Sequence, residues 1–177
     1  MKLTLIRHTS VDVPRGICYG RTDVPLSSTF ADEAGAVAEA LSHRKFDHVF
    51  TSPLSRCVRL AEACGYPDAT RDQRLQEMHF GDWEMQAFDK IDDPRLQEWF
   101  DDYMHVEPTN GESAMQQRER FLDFIDGLKQ SVSPNASVAA FTHAGILVHA
   151  LVAFGGTTYT EAYSAIPPYG SIIDLDI

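Results

Sequence analysis

The sequence predicts an α/β fold, a three-layer sandwich in which helices cover both faces of a mostly parallel central sheet. Three short apolar runs, at residues 3–6, 48–51 and 138–142, have the length and composition of strands that are buried on both faces. Segments with helical spacing of apolar residues lie between these runs, and such alternation is typical of βαβ units around a parallel sheet. The chain has 177 residues, the usual size of one domain, so we expect a single domain over residues 1–177.

The remaining elements follow from local patterns. Apolar residues recur at helical spacing over 31–41 and 112–129, which predicts two amphipathic helices, and the Ser-Pro pair at 52–53 predicts the start of another. The apolar stretch 144–156 is far shorter than the roughly 20 residues that cross a bilayer, so it indicates a buried helix. Residues 171–176 alternate near their end, which predicts a closing strand at the edge of the sheet.

The segment from residue 86 to residue 110 is acidic and carries several large apolar side chains. Within it, Asp93 followed by Pro94 is the pattern of a helix start, with the aspartate as the capping residue. We therefore expect a helical insertion around residues 86–110 that lies over the functional site.

Net charge and cysteine usage limit the classes of partner. A formal net charge of −11 argues against a nucleic-acid or anionic membrane surface, since those surfaces need clustered Lys and Arg side chains. Cys18, Cys57 and Cys64 form no CxxC pair, which fits free thiols in a reducing compartment, and the first apolar run is too short for a signal peptide. We expect a cytoplasmic protein that binds a small molecule, with no nucleic acid and no membrane as partner. The sequence carries no signal for an oligomeric state.

Three predicted strands are each followed by a side chain suited to an anion. Arg7 and His8 follow the first strand, Arg56 lies in the first turns of the helix after the second, and His143 follows the third. Because the carboxyl ends of parallel strands share one edge of a sheet, we expect these side chains to meet. Two guanidinium groups beside an imidazole that can act as a nucleophile indicate phosphoryl chemistry on histidine.

A fourth segment, residues 74–84, places carboxylates next to aromatic side chains and a glycine in a predicted loop. A carboxyl group close to a phosphate dianion is driven towards its protonated form by the like charge. A protonated carboxyl can then donate its proton to a leaving alkoxide. This segment therefore supplies the candidate general acid.

Sequence spacing excludes several other classes of protein. None of the three cysteines has an arginine six residues later, as a cysteine-dependent phosphatase requires, and the chain has no Gly-Lys pair for a P-loop. Its seven histidines show no HExxH or comparable spacing, so we expect no metal and no cofactor. A non-enzymatic phosphoester-binding module remains an alternative, because it needs the cations but neither an acid nor a nucleophile.

Taken in order, these segments resemble the motifs of the histidine phosphatase superfamily, also called phosphoglycerate mutase-like. Residues 7–8 resemble its RHG signature, and residues 52–56 resemble its SPLxR segment. Residues 75–81 resemble its acid-bearing loop, and residues 142–145 resemble its second histidine motif. Each motif is short, yet four of them in register over nearly the whole chain are specific.

The resemblance implies a phosphoglycerate mutase-like fold and a metal-independent phosphomonoesterase that works through a phosphohistidine intermediate. It implies that His8 attacks phosphorus, and that Glu77 gives a proton to the leaving group and later accepts one from water. It also implies that Arg7, Arg56 and His143 hold the phosphoryl oxygens.

The chain departs from the family pattern at four positions. Thr9 stands where the signature has glycine, while Val11, Pro14 and Leu60 replace residues that often bind phosphate or neighbour those that do. None of these changes removes a charged group from the expected pocket. They bear on the backbone angle at residue 9 and on the finer hydrogen bonds to phosphate, so a catalytically weak, phosphoester-binding member is an alternative.

Within the superfamily, residues 77–85 and 108–113 are most similar to α-ribazole phosphatases, which act on α-ribazole 5′-phosphate in cobalamin nucleotide-loop assembly. Aromatic side chains over the pocket would suit a benzimidazole-ribose substrate by stacking. Two alternatives stay open: a broad-specificity small-molecule phosphatase, and a loop in which Phe80 and Trp83 serve only for packing. Arg21 either touches phosphate or faces solvent.

Overall fold

A computed structural model describes all residues from 1 to 177 and contains one five-stranded sheet. The strands are, in chain order, β1 (Lys2–Arg7), β2 (His48–Thr51), β3 (Thr70–Arg71), β4 (Ser137–Thr142) and β5 (Ile172–Asp176). They lie side by side in the order β3-β2-β4-β1-β5. All neighbouring pairs are parallel except β5, which runs antiparallel to β1 at the edge of the sheet.

Six α-helices accompany the sheet. They are α1 (Phe30–Leu41), α2 (Ser55–Ala63), α3 (Arg95–Asp101), α4 (Ala114–Ser131), α5 (Ala144–Phe154) and α6 (Tyr159–Ser164). Three single turns of 3-10 helix, at Gln73–Leu75, Gly81–Trp83 and Phe88–Lys90, lie between β3 and α3. None of the six helices combines the length and the apolar composition that a membrane span requires.

Side chains of β1 and β4 alternate between the two faces of the sheet and thereby build two cores. Leu3 and Leu5 of β1 pack with side chains of α4 and α5 on one face. Ile6 of β1 and Phe141 of β4 pack with side chains of α1 and α2 on the other. Helices therefore cover both faces, as the continuous apolar runs of the strands require. The predicted α/β three-layer fold is confirmed.

One predicted helix start is wrong. Ser52 and Pro53 do not begin α2, which starts only at Ser55. The Ser52 hydroxyl instead lies 2.8 Å from His143 Nε2. The first turn is capped from another part of the chain, because the Asp23 carboxylate accepts hydrogen bonds from the Ser55 N–H at 2.9 Å and the Ser55 hydroxyl at 2.7 Å.

Two elements are absent from the sequence-based prediction. The strand β3 has only two residues, too few for a period-2 pattern. The helix α6 carries a readable signal, since Thr158 and Glu161 form a capping box at its start. Within residues 86–110, α3 begins at Arg95 with Pro94 at the N-cap position, one residue later than predicted, although the Asp93 carboxylate accepts from the Arg95 N–H at 2.8 Å.

Candidate active site

The carboxyl ends of β1, β2 and β4 bring three of the predicted side chains together. His8 follows β1, Arg56 lies in the first turn of α2, and His143 follows β4. The two imidazole rings have centroids 5.1 Å apart, and Arg56 Nε lies 3.3 Å from His143 Nδ1. All three residues are at most 2% exposed. We call His8, Arg56 and His143 the basic cluster.

The tautomer of His8 is set by its own backbone neighbour. Its Nδ1 lies 2.7 Å from the carbonyl oxygen of Thr9, and because a carbonyl only accepts, Nδ1 carries the proton and Nε2 keeps a lone pair. Burial, together with the charges of Arg56 and Arg7, lowers the pKa of His8 to about 3. The ring is therefore neutral at pH 7, with Nε2 in the form that a nucleophile needs.

Arg56 is held by three hydrogen bonds. It donates from Nε to His143 Nδ1 at 3.3 Å and from its terminal nitrogens to the carbonyls of Gly20 at 2.6 Å and Thr22 at 3.0 Å. Because His143 Nδ1 accepts, its Nε2 holds the proton and donates to Ser52 Oγ at 2.8 Å. Burial and the charge of Arg56 hold the pKa of His143 well below its usual range, so this ring is neutral too.

Arg7 lines the same cavity as His8. Its guanidinium donates to the Pro167 carbonyl and sits 4.2 Å from the centre of the Tyr169 ring, while its buried Nε has no hydrogen-bond partner. The Tyr169 ring also packs on His8, with centroids 5.4 Å apart, and its hydroxyl lies 2.8 Å from that of Tyr19. The Arg7 guanidinium is thus fixed next to His8, and its Nε–H is still available to donate a hydrogen bond.

Glu77 lines the same cavity as His8, which has a volume of about 290 Å³. Glu77 Oε1 accepts from the Met78 N–H at 3.0 Å and from Gln117 Nε2 at 2.9 Å, and Oε2 accepts from the Gly145 N–H at 3.4 Å. Gly145 lies in the first turn of α5, whose N-terminal end favours negative charge. A Cβ at residue 145 would lie 2.5 Å from Glu77 Oε1, so only glycine allows this approach.

Arg21 is engaged within the protein. Its terminal nitrogen forms an ion pair with Glu112 at 3.0 Å, and its side chain is 33% exposed. Glu112 also accepts from Arg120 at 2.7 Å and from the His79 N–H at 2.9 Å. Glu112 therefore joins Arg21 and Arg120 to the loop that carries Glu77.

A second, largely apolar cavity adjoins the first. It has a volume of about 310 Å³ and is lined by Met78, Phe80, Trp99, Tyr103, Ala114 and Tyr163. Three of these side chains, Met78, Phe80 and Tyr163, also line the cavity that contains His8. Trp83, in contrast, is buried and donates its indole N–H to Asp93 at 2.7 Å, so it serves for packing. We call the second space the aromatic cavity.

Two of the four residues that depart from the family pattern, Thr9 and Leu60, are buried. Thr9 has no positive φ, since Met85 and Asn110 are the non-glycine residues that do, so a glycine is not needed there. The Thr9 hydroxyl is buried without a hydrogen-bond partner. Leu60 is fully buried in the core formed with α1 and α2. These substitutions leave the charged groups of the site in place.

Comparison with known proteins decides the family. The model of the histidine phosphatase superfamily (branch 1) matches residues 3–177. The chain belongs to this superfamily. It is 30% identical over 158 residues to the adenosylcobalamin/alpha-ribazole phosphatase of Salmonella typhimurium, a match that covers 83% of this chain and 76% of the relative.

Solved structures of other histidine phosphatase relatives share the fold. The alpha-ribazole phosphatase from Shigella flexneri superposes with a TM-score of 0.88 at 26% identity, over 100% of this chain and 91% of that one. A phosphoglycerate mutase from Thermus thermophilus superposes with a TM-score of 0.79 at 30% identity, over 99% and 93%. This histidine phosphatase therefore takes a small phosphate ester as substrate.

Sequence motifs do not mark every side chain at the site. Gln117, in the first turn of α4, touches Glu77, and Tyr19 and Tyr169 lie against the charged groups. Gln117 is a polar residue on a helix face that otherwise buries apolar side chains, and this is the one signal it carries. The two tyrosines sit in loops, where no periodicity identifies them.

Proposed function

We propose that this phosphatase hydrolyses a phosphomonoester through a phosphohistidine on His8, and that its substrate is α-ribazole 5′-phosphate. The observation that carries the first part is the state of His8. Its ring is neutral, Nε2 holds a lone pair, and Arg7 and Arg56 flank it. A neutral imidazole among cations is the arrangement that in-line attack on an anionic phosphoryl group needs.

The proposed reaction has two steps, and both His8 and Glu77 reverse their roles between the first step and the second. His8 Nε2 forms a bond to phosphorus while the bond from phosphorus to the ester oxygen breaks, and the leaving oxygen takes the proton of Glu77. Water then attacks phosphorus, Glu77 takes a proton from that water, and the N–P bond breaks with its electron pair returning to Nε2. Inorganic phosphate leaves, and both side chains are back in their starting forms.

The cations stabilise charge on the transferring group. Three of the five N–H groups of Arg56 are engaged, which leaves two for phosphoryl oxygens, and Arg7 Nε has no partner at all. Such donors act without a metal when they are held in place beforehand. His143 would take part by exchanging its Ser52 hydrogen bond for a phosphoryl oxygen.

The aromatic cavity supports the choice of substrate. Phosphate at His8 would place the rest of the ester towards Met78, Phe80 and Tyr163, which both cavities share. A flat heterocycle on ribose can stack on such walls, whereas a three-carbon acid has nothing to offer them. Two relatives named for alpha-ribazole phosphatase activity agree with this substrate. We expect the enzyme to act in the cytoplasm, on a free small ester rather than on nucleic acid or a membrane.

A substrate panel tests the specificity. Rates would be compared for α-ribazole 5′-phosphate, ribose 5-phosphate, 3-phosphoglycerate and adenosine 5′-monophosphate. We expect kcat/KM for α-ribazole 5′-phosphate to exceed the others by about 100-fold or more, because an apolar cavity discriminates by the surface that it buries. Comparable rates across the panel would replace this substrate by the broad-specificity alternative, which the similarity to a phosphoglycerate mutase keeps open.

Trapping the intermediate tests the mechanism separately. A ³²P-labelled substrate quenched in base should leave an acid-labile label on His8, and a burst of alcohol should precede steady turnover. A burst without label on residue 8 would overturn the assignment of the nucleophile. Binding of the ester with no turnover at all would identify a phosphoester-binding member instead.

A further inference from the structure

We propose that Gln117, His149 and Tyr159 form a buried hydrogen-bonded chain that positions Glu77, and that Glu77 Oε2 is the oxygen that carries the transferred proton. The inference rests on the proposed function, in which Glu77 is the proton donor. Gln117 and His149 are positioning residues, because neither touches the reacting atoms in the mechanism above.

The chain runs from α6 to the cavity through three contacts. Tyr159 Oη lies 3.1 Å from His149 Nδ1, and His149 Nε2 lies 3.3 Å from Gln117 Oε1. Gln117 Nε2 then lies 2.9 Å from Glu77 Oε1. Gln117 and His149 are at most 1% exposed, so water cannot replace the bond between them, whereas Tyr159 is half-buried.

The direction of every bond is fixed by what each atom can do. A carboxylate oxygen only accepts, so the Gln117 amide nitrogen must face Glu77 and its oxygen must face His149. That amide oxygen also only accepts, so His149 Nε2 carries the proton and Nδ1 accepts from the Tyr159 hydroxyl. The Glu77 carboxylate thereby fixes the direction of all three bonds, and the Tyr159 hydroxyl on α6 completes the chain as a donor.

His149 stays neutral in this environment. Burial, with the charges of Arg120 and Arg118, lowers its pKa to about 4, while Glu112 acts weakly in the opposite direction. Above that pH the ring has one donor and one acceptor, which is the arrangement the chain requires. An imidazolium at this position would have no proton acceptor to offer to Tyr159.

The two oxygens of Glu77 differ in how firmly they are held. Oε1 accepts two hydrogen bonds, at 2.9 Å from Gln117 and 3.0 Å from the Met78 N–H, and these occupy it as an acceptor. Oε2 accepts only from the Gly145 N–H, at 3.4 Å, which is long for a hydrogen bond. Oε2 is therefore the oxygen that is free to take up and release a proton, and the chain keeps Oε1 turned away from that role.

Gln117→Met tests the chain, with a readout that a merely structural role would not move. An alkyl ester such as ribose 5-phosphate needs its leaving oxygen protonated, whereas 4-nitrophenyl phosphate does not. We expect kcat for the alkyl ester to fall by about 10- to 100-fold and kcat for the aryl ester by less than about 3-fold. An equal fall for both esters, or no fall for either, would overturn the proposal.

Milder variants keep the test decisive if Gln117→Met does not fold. His149→Phe should show the same ester-dependent loss, and His149→Gln should restore part of the alkyl rate, because its amide can donate to Gln117 Oε1. Tyr159→Phe should lose about 3- to 10-fold on the alkyl ester alone. Tyr66→Phe, a matched control that packs on the opposite face of the sheet, should change neither rate.

Failure of this inference can be told from failure of the proposed function. If the wild-type enzyme forms no phosphohistidine, or Glu77→Gln slows both esters equally, the proposed mechanism itself is wrong. If Glu77→Gln slows the alkyl ester selectively while Gln117→Met and both His149 variants do not, Glu77 is the acid and needs no support from the chain.

Discussion

The basic cluster and the aromatic cavity adjoin each other but are held in different ways. His8, Arg56 and His143 are buried at strand ends, and hydrogen bonds fix each of them to backbone carbonyls or to one another. Phe80, Trp99, Tyr103 and Tyr163 of the aromatic cavity are only half-buried, lie on short turns and helices, and hold one another by ring contacts.

The difference suggests a division of work. Hydrogen bonds to fixed partners give the directional order that phosphoryl transfer needs, whereas ring contacts tolerate small shifts and can adapt to the rest of an ester. Substitutions in the basic cluster should therefore lower both the rate of the reaction and the stability of the fold. Changes in the aromatic cavity should lower discrimination between substrates and little else.

The largest effect should come from His8, the proposed nucleophile. His8→Ala should lower kcat by at least about 10⁴-fold on every ester, since no other group can form the covalent intermediate. Steady-state rates and ³²P labelling measure this. Circular dichroism should show an intact fold, and a variant that keeps more than about a hundredth of the wild-type rate would remove His8 from the role.

Arg56→Met should show that the same region also carries stability. The change leaves the carbonyls of Gly20 and Thr22 buried without their donor, which costs about 3 kcal/mol of unfolding free energy in urea titrations. Arg59→Met on the same helix is the matched control, because Arg59 is 60% exposed and its ion pair with Glu62 is long, at 3.5 Å. It should cost less than about 0.5 kcal/mol. Equal losses would show that burial does not separate the two arginines.

Lowering the pH should first lower the free energy of unfolding through the buried histidines. The pKa values of His8 and His149 are lowered to about 3 and about 4, and that of His143 is lowered as well, whereas an unfolded histidine titrates near pH 6.5. Below about pH 6.5 the unfolded chain binds more protons, so unfolding free energy should fall as pH drops, by up to about 4 kcal/mol per pH unit for the three histidines together.

Urea titrations at pH 7, 6 and 5 measure this slope. The window lies above the range in which Glu84 and Glu112, whose pKa values are lowered, would lose their stabilising bonds. His105→Gln, which changes a histidine whose side chain is 69% exposed, is the matched control. Stability that stays level down to pH 5 would mean that the buried histidines accept protons without unfolding.

The residues of the basic cluster could be predicted from the sequence, because the end of a strand is marked locally by an apolar run and a polar residue that follows it. Arg7, His8, Arg56 and His143 could all be placed at one sheet edge on that basis. The capping of α2 could not be predicted, because Asp23, which accepts the hydrogen bond from Ser55, lies in a loop that is distant in the sequence. The aromatic cavity draws on residues 78 to 163, and no period in the sequence reports which ring faces which.

Trp99→Leu should act on discrimination alone. We expect kcat/KM for α-ribazole 5′-phosphate to fall by about 10- to 30-fold, in line with the apolar area of an indole, while ribose 5-phosphate changes by less than about 2-fold. Phe100→Leu is the matched control, because Phe100 touches Trp99 but is 55% exposed and does not line the cavity. A parallel fall for both esters would mean that Trp99 supports the loop of Glu77 instead.

The smallest effect should arise at Tyr19, whose hydroxyl pairs with that of Tyr169 at 2.8 Å beside Arg7 and His8. Tyr19→Phe removes this partly exposed bond and keeps the ring over Arg56, so we expect a stability loss of at most about 1 kcal/mol and less than about a 3-fold change in kcat. Tyr169→Leu removes the ring itself and should cost more, since it also uncovers the guanidinium of Arg7. If Tyr19→Phe lowered the stability as much as Tyr169→Leu, the pair of hydroxyl groups, and not the Tyr169 ring, would hold His8 in place. The contrast between a hydrogen-bonded region and a ring-packed region would then no longer hold where the two regions meet.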